Sequence, residues 1–237
     1  MNNTNLRQVK MTAQTLLRVR IHKTDFSPMI VQHPFASSGL VVLPGTQRII
    51  DITANAENLN AWQDIMDRQI AKAKSVSDIY AMLNKPYALT FLKFIQDNIS
   101  AEELAVLLAD AWIRSECPNM DADVSKSELV ELFEKADKKH LMTKGERDLL
   151  SRLGERVTVY RGVTSYNAKN IRALSWTIDK KKAEWFAHRF DECGTVYTAQ
   201  IKKEKILAVF TSRKESEIVL NPKGLKQLKK AEGTANG

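Results

Sequence analysis

The chain has 237 residues, a formal net charge of +8 from 36 Lys and Arg against 28 Asp and Glu, and an apolar fraction of 43%, an ordinary make-up for a sequence that builds a packed core. It excludes a disordered chain, and no run approaches the ~18 consecutive apolar residues of a membrane-spanning helix. Cys117 and Cys193 lie far apart without CxxC spacing, and His22, His33, His140 and His188 form no HxxxH or HxH cluster, so neither a disulfide framework nor a metal site is expected.

The opening MNNTNLRQVKMTAQTLL lacks the continuous apolar segment of a signal peptide, so a soluble, cytoplasmic protein is expected. Residues 1–28 carry five Lys and Arg against Asp25 and read as a basic extension. From Arg18 to Thr53, short apolar runs are cut by turn residues, and SGLVV, PGTQ and RIIDI predict a hairpin. Leu59, Trp62, Ile65, Met66, Ile70 and Ala73 then recur at three- and four-residue steps, the stripe of an amphipathic helix. Further helices follow to about residue 153, three of them opened by capping-box patterns at Ser100–Glu103, Ser125–Glu128 and Thr143–Glu146. Asp121 and Asp123 alternate as in a calcium loop, but no register places Gly sixth and Glu twelfth, so calcium is not expected.

After Gly154 the period switches to two. RVTVYRGV, GTVYTAQI, ILAVF and EIVL read as strands, with one helix, DKKKAEWFAHRF, between the first two. Thr177 is placed to cap that helix, with Ala183, Phe186, Ala187 and Phe190 on its buried face. Residues 199–237 carry nine Lys and Arg against four Glu. Such ends hold an acidic partner or nucleic acid, or serve only as solubilising surface.

Three short features depart from ordinary strand text. In Tyr160-Arg161-Gly162, alternation aims Arg161 to the side of Val157 and Val159, where a guanidinium needs an anion or a paired acid. Ser175-Trp176-Thr177 offers two hydroxyls, for a helix cap or for orienting a carboxylate. Glu215 and Glu217 share a strand face, as solvated surface or as the two sides of a site for something cationic.

Arg, Ser-x-Thr and Glu-x-Glu on successive strands, here VYRG, LSWT and ESEIVL, resemble the Arg-Ser-Glu (cholera-toxin-like) class of mono-ADP-ribosyltransferases, and also uncharacterised proteins of bacteria and their phages. The resemblance covers roughly residues 125–222. Trp176, between the two hydroxyls, departs from the small residue usual in the family.

The resemblance implies an NAD-dependent transfer of ADP-ribose to a target protein in a bacterial or phage-infected cell, with NAD as substrate and no metal. Glu217 would stabilise the ribose as it becomes cationic, Ser175 would orient it, and Arg161 would hold a phosphate of NAD. Tyr160, Gly162 and Thr177 would complete the NAD site, with Trp185, Phe186 and Phe190 as further candidates to stack on nicotinamide. Glu215 would face an acceptor arginine. The alternatives are an NAD glycohydrolase, or an inactive relative binding an acidic partner or nucleic acid.

The expected fold is α+β, with an ADP-ribosyltransferase-like β-sandwich over 101–224. A mixed, mainly helical region at 29–100 for recognition or scaffolding precedes it, and a basic flexible tail at 225–237 follows.

Overall fold

The computed structural model describes residues 3–115, 118, 123–189, 193–212 and 215–231 and divides the chain into two compact units, Met1–Ser115 and Glu116–Gly237. Both mix helices with antiparallel strands, so the α+β class stands. Among the described residues no helix is long and apolar enough to cross a membrane.

In the first unit, helix α1 (Leu6–Leu17) starts where the Asn5 side chain accepts the Gln8 N–H at 3.1 Å. Val9, Ala13 and Leu17 recur every four residues and are fully buried. That stripe packs against α2 (Ala56–Lys72), α3 (Val76–Tyr80) and α4 (Ala88–Ile95). Residues 1–28 are thus not an extension: burial makes α1 part of the core, while Arg7, Arg18 and Arg20 stay exposed.

Strands β1 (His22–Lys23), β2 (Ile30–His33) and β3 (Ala36–Ser38) form one small sheet, and β4 (Leu40–Val42) and β5 (Ile49–Asp51) form the hairpin predicted from SGLVV, PGTQ and RIIDI. Helix α5 (Ala101–Arg114) has the Ser100–Glu103 capping box and buries Leu104, Leu108 and Trp112 in contact with α3 and α4. The boundary therefore falls after Ser115 and not at residue 100, because the apolar face of α5 is spent in the first unit.

The second unit opens with α6 (Lys126–Lys135), α7 (Lys138–Leu141) and α8 (Lys144–Arg152). Five strands follow, β6 (Arg156–Val163), β7 (Ser175–Thr177), β8 (Thr195–Lys202), β9 (Ile206–Phe210) and β10 (Glu217–Leu220), with α9 (Lys180–His188) between β7 and β8. A sixth, β11 (Lys226–Lys230), pairs with β8, so the start of the expected flexible tail is an edge strand.

The sheet order is β11-β8-β6-β7-β10-β9, antiparallel throughout. The resemblance implies a β-sandwich; the strands form two three-stranded halves joined in one hydrogen-bonded series where Tyr160 pairs with Thr177. Among the described residues it is the single position that β6 and β7 share, whereas β6 and β8 pair over eight.

Candidate active site

Strand β6 sets the first part of the site. Val157, Val159 and Val163 are buried on one face, and Arg161, half-buried, leaves the strand on that same face. Its Nη1 donates to the Ser175 carbonyl oxygen at 2.6 Å. Had the antiparallel register with β7 continued past Tyr160–Thr177, Gly162 would oppose Ser175. The strands part there, and the guanidinium meets the carbonyl that a ladder would have used.

Gly162 faces the other way, into α9. A Cβ built on it would lie 2.3 Å from the Ala183 carbonyl oxygen and 2.6 Å from the Ala187 nitrogen, so only glycine allows this approach. Ala183 and Ala187 are fully buried and Phe186 half-buried, while Trp185 is 58% exposed and meets Phe186 edge-on with centroids 5.0 Å apart. Phe190 lies outside the described residues.

Across the midline, Tyr160 opposes Thr177, Thr177 opposes Glu217, and Glu217 opposes Phe210, one row over four strands. Residues directly opposite project to one face. Tyr160, Thr177 and Glu217 therefore stand side by side, with Ser175, opposite Val219, one diagonal step from Glu217. Glu217 and Ser175 are half-buried. The structure thus brings Ser175, Thr177 and Glu217 onto one face of β7 and β10, and Arg161 approaches at the strand edge.

Thr177 does not cap α9. The cap is Asp179, whose carboxylate accepts from the N–H groups of Lys181 and Lys182 at 2.9 and 3.3 Å. Thr177 remains in strand β7 and is buried; its hydroxyl donates to the Glu215 carbonyl at 2.7 Å and lies 3.3 Å from the Ser216 carbonyl. Ser216 has φ +45°, a left-handed conformation unusual for serine. The bend between the two glutamates is held by β7, the strand paired with the one it precedes.

The same turn is anchored at its other end by Glu146, a residue that motif reading took only for a helix cap. Its Oε2 accepts from the Thr143 N–H and hydroxyl at 2.8 and 2.9 Å. Its Oε1 accepts from the Thr211 N–H and hydroxyl at 2.8 and 3.2 Å. Four donors satisfy a carboxylate that is 4% exposed. Residues 213 and 214 lie outside the described residues.

Lys126, at the start of α6, donates from Nζ to the Arg172 carbonyl at 2.8 Å, just before β7. Burial, and then the nearby Arg161 guanidinium, hold its pKa below the usual lysine value. Two cations thus stand within electrostatic reach at the point where β6 and β7 separate. Among the described residues there is no group of three or more His, Cys, Asp or Glu able to hold a metal ion. No family model, curated protein or solved structure matches the chain.

Proposed function

We propose that the second unit is an NAD-dependent mono-ADP-ribosyltransferase that modifies an arginine of a target protein. The observation that carries this reading is the row Tyr160, Thr177 and Glu217 across β6, β7 and β10, with the Arg161 guanidinium hydrogen-bonded to Ser175 in the adjoining gap. The support is that Tyr160, Thr177 and Glu217, distant in the chain, share one row of the sheet. A carboxylate, hydroxyls and a cation around a strand opening suit a dinucleotide with an anionic pyrophosphate and a ribose that becomes cationic.

In the proposed reaction Arg161, with Lys126 nearby, holds the pyrophosphate. The bond from ribose C1 to the nicotinamide nitrogen breaks, nicotinamide leaves with the bonding pair, and positive charge develops on the ribose. Glu217 stabilises that charge more strongly than it binds the neutral ribose, which is what lowers the barrier. A guanidine nitrogen of the acceptor, held by Glu215, attacks C1 and gives up a proton to that carboxylate.

The test is incubation of the full chain with labelled NAD and a bacterial lysate, followed by mass spectrometry of labelled protein. Label on arginine, with nicotinamide release reduced about 10²–10³-fold in Glu217→Ala, is the expected result. NAD hydrolysis with no labelled protein would identify a glycohydrolase. Absence of both NAD consumption and labelling overturns the enzymatic reading.

A further inference from the structure

One face of the β6–β8–β11 half-sheet continues the row of the candidate site, Tyr160 opposing Thr198, and beyond it has an unusual content. Arg156 opposes Lys202, and Thr158 opposes Gln200. On the edge strand, Lys226 opposes Gln200 and Lys229 opposes Thr198. Opposed residues project to the same side of a sheet, so Arg156, Lys202, Lys226 and Lys229 stand together around Thr158, Thr198 and Gln200. All four cations and Thr158 are exposed, and Thr198 and Gln200 are half-buried. Lys202 reaches Glu204 at 3.7 Å, an exposed pair of small value; Arg156, Lys226 and Lys229 have no ion-pair partner among the described residues.

Helix α9 packs on this same face at its Gly162 end. It presents Trp185, 58% exposed, with the Lys182 Nζ 5.1 Å from the ring centroid, and exposed Lys181. The surface is thus a cationic strand face with hydroxyl and amide groups between the charges and an indole on the neighbouring helix.

We propose that this face binds single-stranded nucleic acid. Strand-borne cations track a phosphate backbone, threonine and glutamine between them reach sugar and phosphate oxygens, and an exposed indole supplies a surface on which a base stacks. A protein partner is the poorer match: the centres of protein interfaces are depleted of charge and built on apolar anchors, whereas the strand residues here are cationic or polar.

The test is fluorescence anisotropy of the full chain with a labelled DNA or RNA single strand of about 20 nucleotides, titrated at several salt concentrations. Four phosphate contacts predict a slope of log K against log salt of about −3. Joint Arg156→Ala, Lys202→Ala, Lys226→Ala and Lys229→Ala substitution removes most of that slope and weakens binding by about 10-fold or more between 50 and 200 mM salt. Trp185→Ala weakens binding by about 5- to 100-fold with the slope kept, since stacking is not a charge effect. These positions are exposed, so the thermal midpoint should stay at the wild-type value as the control for folding. Absence of binding by the wild type, or unchanged binding by the quadruple variant, overturns the proposal. So does displacement of the strand by polyglutamate of equal charge as readily as by unlabelled strand, or binding that is indifferent to Trp185.

Discussion

The Thr177 hydroxyl donates to the main-chain carbonyl of Glu215 at 2.7 Å, so a side chain in one strand fixes the turn that carries the glutamate proposed to face the acceptor. Removing the hydroxyl while keeping the shape isolates that bond. Thr177→Val is expected to lose about 1–2 kcal/mol of stability. Transfer to protein is expected to fall about 10-fold, with NAD hydrolysis changed much less, because misplacing Glu215 affects the acceptor and not the ribose. Parallel assays of labelled protein and released nicotinamide check it; an equal loss of both would place Thr177 in NAD binding instead.

Glu146 secures the other end of that turn. Glu146→Gln keeps one carbonyl oxygen but replaces an acceptor by a donor that faces the N–H and hydroxyl of either Thr143 or Thr211. The expected cost is about 1–3 kcal/mol in chemical denaturation. Combined with Thr211→Val, the losses should be less than additive, since both act on one contact. Strict additivity would show that Thr211 does not depend on Glu146.

Gly162→Ala tests the contact between β6 and α9. The added methyl group has backbone on its far side and no flexible side chain to displace. A loss of about 1–3 kcal/mol or more is expected, read as a lowered thermal midpoint. A variant as stable as the parent would mean that α9 is free to move away from the sheet.

Lys126→Ala removes the second cation beside Arg161. The expected result is a rise of about 5- to 10-fold in KM for NAD with kcat little changed, the pattern of lost uniform binding. A fall in kcat at constant KM would instead tie Lys126 to the chemical step.

The first unit should be acid-sensitive through His33. This side chain is fully buried, its Nδ1 accepts the Phe35 N–H at 3.1 Å, and Trp62 meets it edge-on with centroids 5.3 Å apart. Burial lowers its pKa from 6.5 to about 4, against the opposing pull of the Leu17 and Val19 backbone. Unfolded chain therefore takes up a proton below about pH 6.5 that folded chain refuses until about pH 4, and stability falls as pH drops through that window, by up to about 3 kcal/mol. Urea denaturation at about pH 7.5 and about pH 4.5 should show this loss, and His33→Gln should remove most of it. A variant that keeps the full pH dependence would assign the effect to other groups.

What could be read beforehand was local. The capping boxes at Ser100, Ser125 and Thr143 operate over three residues and are present as expected. Arg161 leaves β6 beside Val157 and Val159, as alternation requires. Whether Thr177 or Asp179 caps α9 could not be read, because both are capping residues and the partner that occupies Thr177, the Glu215 carbonyl, lies 38 positions away. The second half of the Glu146 clasp is likewise 65 positions distant. Helix α5 shows its cap in the sequence but not what it packs against. In β11, Lys226, Lys229 and Lys230 are all exposed, so no buried alternation separates an edge strand from a charged tail.

The lone rung between Tyr160 and Thr177 has a mechanical consequence. A sheet joined along many rungs resists bending between its strands, but a sheet joined at one has a compliant line through its middle. Here that line separates the half bearing Arg161 from the half bearing Glu217. Across that line the Arg161 hydrogen bond to the Ser175 carbonyl is a second tie, so the cation itself helps to hold the two halves together.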